Sequence, residues 1–372
     1  MDTINTGTVV VGGGQAGLVM AYYLKQAHDD FVVLEADARV GDAWRRRYDS
    51  LRLFSPPRYA SLPGWRIPTR GCPSRDEMAD YLEQYATRFA LPVRTGVRVE
   101  RVTRDGDAFR VETSAGSYLA GRVVVATGGH QRPRTPDFAA ELDPAIRQLH
   151  SLEYRNPGQF APGGVLVVGA ANSGTDIALD AAAAGHRVRL AGRHPGQVPV
   201  DIDGRRGRVV VPVVMFAFKH VLTLRTPMGR AKRAAARGHG VQLVRNKLAH
   251  LDAAGIERLG RITGVRDGQP VTADGPVPDV HTVVWCTGSD PDHAFLDPAV
   301  LGEGGRPRER RGVADEPGLY FLGLDFQFAL ASATIQGLDR DARYLLRRMR
   351  RVRPTPAPHV PSMHDVERVP QG

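Results

Sequence analysis

Cysteine is nearly absent. Cys72 and Cys286 are the only two in 372 residues, and they lie far apart. That excludes a disulfide framework, a cysteine-rich zinc site and a Cys-x-x-Cys redox pair. Long apolar runs are also missing. The longest, Val209 to Leu222, is broken by Pro212 and Lys219. It falls short of the roughly 18 apolar residues that a spanning helix needs, so a buried or interfacial segment is expected and no stable membrane insertion. Neither G-x-S-x-G nor H-E-x-x-H occurs, which leaves a nucleophile elbow and a zinc protease without their signatures. A polar start runs almost at once into the β-branched stretch Thr8 to Val11. No signal peptide is expected there, and the predicted location is the cytoplasm. Acids are outnumbered, with 40 Asp and Glu against 50 Lys and Arg, giving a net charge of +10. The arginines read as scattered, and no zinc or RNA-binding motif accompanies them. Attraction of anionic cofactors is therefore expected, and nucleic acid is not.

What is present is ordinary globular composition and enough chain for two or three domains. Thr8 to Val11 reads as a strand, Gly12 to Gly17 as a glycine turn, Leu18 to Gln26 as a helix and Phe31 to Leu34 as a second strand. The same start recurs. Val165 to Val168, the turn Gly169-Ala170-Ala171-Asn172-Ser173-Gly174, the helix Thr175 to Ala184 and the strand Val188 to Ala191 repeat it. Two separate dinucleotide sites would require this. Between them, Asp42 to Pro73 is irregular. Asp76 to Phe89 is a helix with Ser74 as N-cap and Glu77 as its capping-box partner. Segments from Val97 to Ala126 alternate like antiparallel strands. Val280 to Cys286 and Leu319 to Leu322 are further strands, and Ala331 to Met349 is a helix. The tail from Arg353 is proline-rich and expected to be disordered.

The first turn carries specific chemistry. Gly12 permits a tight turn, Gly14 lets a pyrophosphate approach the backbone, and Gly17 lets the helix pack on the sheet. The helix N-terminus offers N–H groups to phosphate. Glu35 ends the second strand, about 20 residues on, where a carboxylate accepts ribose hydroxyls. The second turn differs at that place, with Gly192 and Arg193 standing there. A guanidinium pairs with a 2′-phosphate that a carboxylate would repel, so this site is expected to prefer NADPH. Ala171 replaces the middle glycine, and its methyl is expected to loosen binding or shift the turn. Ala126-Thr127-Gly128 and Cys286-Thr287-Gly288 both end strands. Such an element carries the chain past a nucleotide, crosses between domains, or simply turns.

This ordered set resembles the class B flavin-dependent monooxygenases, which include FMO-type, YUCCA and Baeyer–Villiger enzymes. It is similar to a bacterial branch of small flavoproteins, over about residues 5 to 350. The resemblance implies an α/β fold of two Rossmann-like domains of the three-layer ββα type. A discontinuous FAD domain (1–155 and 280–352) would carry an inserted NADPH domain (156–279), with a tail at 353–372. It implies an FAD site at Gly12, Gly14, Gln15, Ala16, Gly17, Glu35, Ala36, Gly41, Trp44, Arg52, Thr127, Gly128 and Asp325. It implies an NADPH site at Gly169, Asn172, Ser173, Gly174 and Arg193, cofactor contacts at Thr287 and Gly288, and catalytic roles for Ser55 and Gln327. The family fingerprint F-x-G-x-x-x-H keeps His150, but Pro144 and Ile146 stand where Phe and Gly belong. His150 therefore has two readings, as part of a reactive fingerprint or as a structural linker histidine.

The implied reaction is hydride transfer from NADPH to FAD, then oxygen activation through a C4a-(hydro)peroxyflavin. Oxygen would pass to a small molecule by N-, S- or As-oxygenation or by Baeyer–Villiger insertion. The partners expected are that substrate and molecular oxygen, and a homodimer is left open. Two alternatives stand: an NAD(P)H-dependent flavin oxidoreductase or oxidase that oxygenates nothing, and a redox-sensing flavoprotein.

Overall fold

The computed structural model describes residues 3–198, 207–236 and 242–351. The chain opens with β1 (Thr3–Val11), α1 (Gln15–Gln26) and β2 (Phe31–Leu34), and β1 and β2 are parallel. Two single turns follow in the irregular segment, α2 (Asp42–Arg45) and α3 (Pro57–Ala60), then α4 (Arg75–Arg88). The capping box of α4 forms as expected. The Ser74 hydroxyl accepts from the Glu77 N–H, and the Glu77 carboxylate accepts from the Ser74 N–H at 2.7 Å. Next come β3 (Val93–Arg94) and the antiparallel meander β4 (Val99–Asp105), β5 (Ala108–Thr113) and β6 (Gly116–Val125).

The chain then crosses through β7 (Arg132–Pro133) to β8 (Arg147–His150), β9 (Val165–Val168), α5 (Asn172–Ala183) and β10 (Val188–Ala191). An insert follows: α6 (Gly207–Phe216), a π-helical turn at Ala217–Val221 and α7 (Pro227–Ala236). After α8 (Leu248–Ala253) and β11 (Glu257–Leu259) come a small antiparallel sheet, β12 (Gly264–Arg266), β13 (Gln269–Thr272) and β14 (Gly275–Pro276), and the strand β15 (Thr282–Trp285). The chain crosses back through β16 (Ser289–Asp290) to β17 (Glu309–Arg310), β18 (Val313–Ala314), β19 (Leu319–Phe321) and α9 (Ile335–Met349).

Two sheets result, the first parallel at its centre with added antiparallel strands and the second parallel throughout. One is ordered β17-β18-β19-β6-β1-β2-β3, and the other β11-β10-β9-β15-β8. Their central strands are apolar on both faces because helices or the meander cover each side: Val9 and Val10 are fully buried, as are Val167 and Val284. Sheet membership corrects the expected junctions at 155/156 and 279/280. β15 pairs with both β9 and β8, so β8 and β15 belong to the second sheet. An all-buried strand needs neighbours on both edges, but its sequence does not name them. The crossings lie instead just after Thr127-Gly128 and Thr287-Gly288, and the two crossing strands β7 and β16 pair with each other. The expected tail at 353–372 lies outside the described residues.

Candidate functional site

The two glycine turns are built alike. Gly12 N–H bonds to Leu34 O at 2.8 Å, and Gly169 N–H bonds to Ala191 O at 2.7 Å. Both glycines have positive φ, 103° and 115°, a region that side chains rarely adopt. A Cβ on Gly17 would sit 1.8 Å from Gly12 O, and one on Gly174 would sit 1.7 Å from Gly169 O. Only glycine lets either helix approach its turn this closely. The N-caps are Gly14 (φ −73°, ψ −175°) and Ala171 (φ −87°, ψ −170°). Their backbones coincide within about 15°, inside ordinary scatter, so the shift expected from the Ala171 methyl does not occur. The x-Thr-Gly elements repeat the symmetry. Ala126 N–H bonds to Val11 O beside the first turn, and Cys286 N–H bonds to Val168 O beside the second.

Each cradle fits an anion. Neither α1 nor α5 has a side-chain cap or an acid in its first turn, which leaves N–H groups and the positive dipole end for phosphate. The space beside Gly14 is open, with nothing within 4 Å of a Cβ built there. The Thr127 hydroxyl, next to Gly12, is buried without a hydrogen-bond partner. Glu35 holds the first turn: its carboxylate accepts from Gly13 N–H at 2.6 Å and from Asp37 N–H at 2.9 Å. Burial pushes its carboxyl above the ordinary range, and the two backbone donors pull it back. Ala36 continues half-buried into the loop. At the second site Arg193 is exposed, with no ion pair among the described residues. Beside it, His194 has a buried Nε2 without a partner. Ser173 lies in the first turn of α5, and Asn172 reaches Gln242 O at 3.3 Å.

One short segment joins the cradles. Gly41 starts α2 at φ 91°, and Trp44 donates from Nε1 to Gln15 Oε1 at 3.2 Å, at the start of α1. Four residues on, Tyr48 donates to Asp176 Oδ2 at 2.8 Å, in the second turn of α5. Asp176 also accepts from Arg245 at 2.6 Å and from Asn246. Four residues span at most about 14 Å, so this one segment ties the start of α1 to the second turn of α5. Ser50 and Tyr154 bond to Asp180 of the same helix. Arg47 lies within this segment, half-buried, and burial holds its guanidinium below its usual range. It joins no ion pair among the described residues, and its field reaches both His130 and His150.

Sequence comparisons agree with this architecture. Residues 9–221 match the pyridine nucleotide-disulphide oxidoreductase family. An uncharacterized oxidoreductase, CzcO-like, from Geobacillus kaustophilus is 37% identical over 349 residues, covering 91% of this chain and 96% of that protein. A double mutant of the flavin monooxygenase from Stenotrophomonas maltophilia superposes with a TM-score of 0.76 at 30% identity, covering 93% of this chain and 98% of that one. The chain is a class B flavin monooxygenase-like member of this family. Rice indole-3-pyruvate monooxygenase YUCCA1 is 38% identical over 185 residues, 48% of this chain and 46% of that protein.

Several expected residues of this flavin monooxygenase-like chain take other parts. Gln327 is 1% exposed, and its amide oxygen accepts from Gly323 N–H at 3.0 Å and from Leu324 N–H. It shapes the turn that carries exposed Asp325, with Phe326 held at φ 49°. A Cβ on Gly323 would lie 3.4 Å from the Ala16 Cβ, so the turn flanks the first cradle. Gln327 thus shapes this turn through its amide oxygen, while its Nε2 is buried without a hydrogen-bond partner among the described residues. Arg52 is drawn to Cys72 O at 3.3 Å and to the start of α4, not to the cradle. Ser55 makes no hydrogen bond among the described residues, and α3, which follows it, has no side-chain cap. Thr287 bonds to Arg134 O, and Gly288 O accepts from Arg134 N–H, which ties the two crossings together. His150 is 3% exposed. Its Nδ1 accepts from Leu152 N–H, so Nε2 carries the proton donated to Gly288 O at 3.0 Å. This is the linker histidine of the second reading.

Sequence reasoning missed Arg47, Tyr48 and Asp176. A signal was present. Asp176 and Asp180 sit at i and i+4 in an otherwise alanine-rich helix, so two acids share one face that must be hydrogen-bonded.

Proposed function

We propose that the chain is an FAD-dependent, NADPH-oxidising monooxygenase that oxygenates a small substrate by N-, S- or As-oxygenation or Baeyer–Villiger insertion. The observation that carries this reading is the Trp44–Tyr48 segment, hydrogen-bonded to the first turn of α1 and the second turn of α5. It sets two anion cradles at one cleft, as hydride transfer between two nucleotides requires. The family's flavin monooxygenases support the choice of FAD at the first cradle. FAD, when bound, supplies hydride acceptance and oxygen activation.

The chain's own residues bind and orient. Gln15, Ala16 and Gly17 present backbone N–H groups to a pyrophosphate, and Glu35 meets the ribose while bracing Gly13. Asn172, Ser173 and Gly174 repeat the cradle for the second nucleotide. Arg193 pairs with its 2′-phosphate. Arg47, lacking a carboxylate neighbour, supplies positive charge to the phosphates or to an anionic reactant. The tyrosine–aspartate link fixes the distance between cradles. Cys286 stands at the second cradle, and burial pushes its thiol far up, so it stays neutral. Cys72 packs in a different apolar cluster, so disulfide reduction has no cysteine pair to use.

Purified protein loaded with FAD tests the reading. NADPH consumption against a panel of amines, sulfides, arsenicals and ketones under labelled oxygen should place one labelled atom in one substrate class. NADPH consumed with stoichiometric hydrogen peroxide and no labelled product in any class would replace the proposal with the oxidase alternative.

A further inference from the structure

The positive charge is not scattered as the sequence first suggests. Residues 204–251 contain 11 Lys and Arg and no Asp or Glu, which leaves 39 cations against 40 acids in the rest of the chain. The whole surplus therefore sits in one segment. Exposed apolar side chains concentrate there too. Of six large apolar residues exposed among the described residues, five fall in it: Val209, Val213, Phe216, Val221 and Met228.

The helix geometry explains the exposure. Val209, Val213 and Phe216 stand at i, i+4 and i+7 of α6, one stripe, and are 70%, 65% and 60% exposed. Val211 and Met215 point the other way and pack with Val198, Val244 and Cys72. So α6 is already seated by one apolar face and carries a second that stays exposed among the described residues. Beyond it, Lys219, Arg225, Arg230, Lys232 and Arg233 form no salt bridge among the described residues.

We propose that this insert is a docking surface for an anionic lipid bilayer, with α6 lying in the interface. The aliphatic and phenylalanine stripe would enter the headgroup boundary, and the surrounding cations would meet lipid phosphates. Both halves of the surface are then used. Nucleic acid would use the cations and leave Val209, Val213 and Phe216 in water. A second copy of the chain would bring two segments with 11 Lys and Arg and no acid against each other, which repel. The helix lies on the membrane and does not cross it: ten residues with an internal proline reach about 15 Å, half the hydrocarbon thickness. The insert also touches the catalytic side. Leu224 N–H bonds to Phe328 O, and Leu330 N–H bonds to Leu222 O, next to the Gln327 turn.

The test is co-sedimentation of the full-length, FAD-loaded protein with vesicles of phosphatidylcholine alone or with a quarter phosphatidylglycerol. Binding should be at least tenfold stronger on the anionic vesicles and should weaken in 0.5 M salt. Val213→Asp with Phe216→Asp should remove at least tenfold of it while the flavin spectrum stays unchanged. Lys232→Glu with Arg233→Glu should do the same by charge alone, which covers the case where the apolar pair misfolds. Equal binding to both vesicles, or binding to neither, overturns the proposal. So does duplex DNA binding that ignores the Val213 and Phe216 changes, or a dimer in light scattering that Phe216→Asp dissociates.

Discussion

The first and second cradles share a backbone and differ in chemistry. Their glycines have the same positive φ, the same close approach of helix to turn, and the same strand end alongside. They part at the N-cap, Gly14 against Ala171, and at the end of the second strand, where half-buried Glu35 stands against exposed Arg193. The alanine costs the turn nothing because its φ is negative, which any residue adopts. The proposed nucleotide choice therefore rests on the charge at the end of the second strand, and the turns themselves do not distinguish the two sites.

The largest break in that comparison comes from its shared feature. Gly17→Ala places a methyl on Gly12 O, and overpacking of that kind costs up to about 3 kcal/mol or more, on the order of 100-fold in affinity. The purified variant should lose its flavin absorbance. Gly174→Ala should keep the colour and lose saturable reduction by NADPH. A colourless Gly174→Ala protein would mean the two cradles do not bind independently.

Arg193→Ala sharpens the difference. Losing one charge-assisted pair of about 1.5–3 kcal/mol should raise the NADPH KM by roughly tenfold or more and leave the NADH KM nearly unchanged. Equal changes for both nucleotides remove the 2′-phosphate assignment. Tyr48→Phe acts between the cradles. Flavin reduction at saturating NADPH should slow several-fold while flavin binding holds. The unfolding temperature should drop by about 2 °C, as the buried Asp176 carboxylate loses one donor. Unchanged reduction with lower stability would make the link structural only.

The smallest effect lies at the crossings. Burial holds the imidazoles of His150 and His293 below their usual range, so the fold keeps them neutral. The unfolded chain takes up protons below about pH 6.5, so stability is full above that pH and is lost as pH falls further. Chemical denaturation between pH 7 and pH 5 should show the loss, and His150→Gln should flatten part of the slope.

How much could be read in advance follows from the range of the interactions. The glycine spacings, the place of Glu35 after the second strand and the Ser74–Glu77 capping box were legible because each depends on neighbours within a few residues or one βαβ unit. The contacts of Gln327 were not legible, because a polar residue shows its turn only once the chain is folded. Those of Arg52 were hidden for the same reason, its partner being a carbonyl 20 residues on. The strand Thr282–Trp285 was visible as a strand, while its place in the second sheet was not.

The sequence by itself determined two phosphate-binding starts, their opposite charges and the absence of a cysteine pair, because local sterics and composition set these. Only the tertiary structure decided that one segment bonds to both starts, that Tyr48 reaches Asp176, and that one face of α6 stays exposed among the described residues. Those facts depend on contacts between residues far apart in the chain, where periodicity shows which face seeks a partner and packing alone chooses the partner.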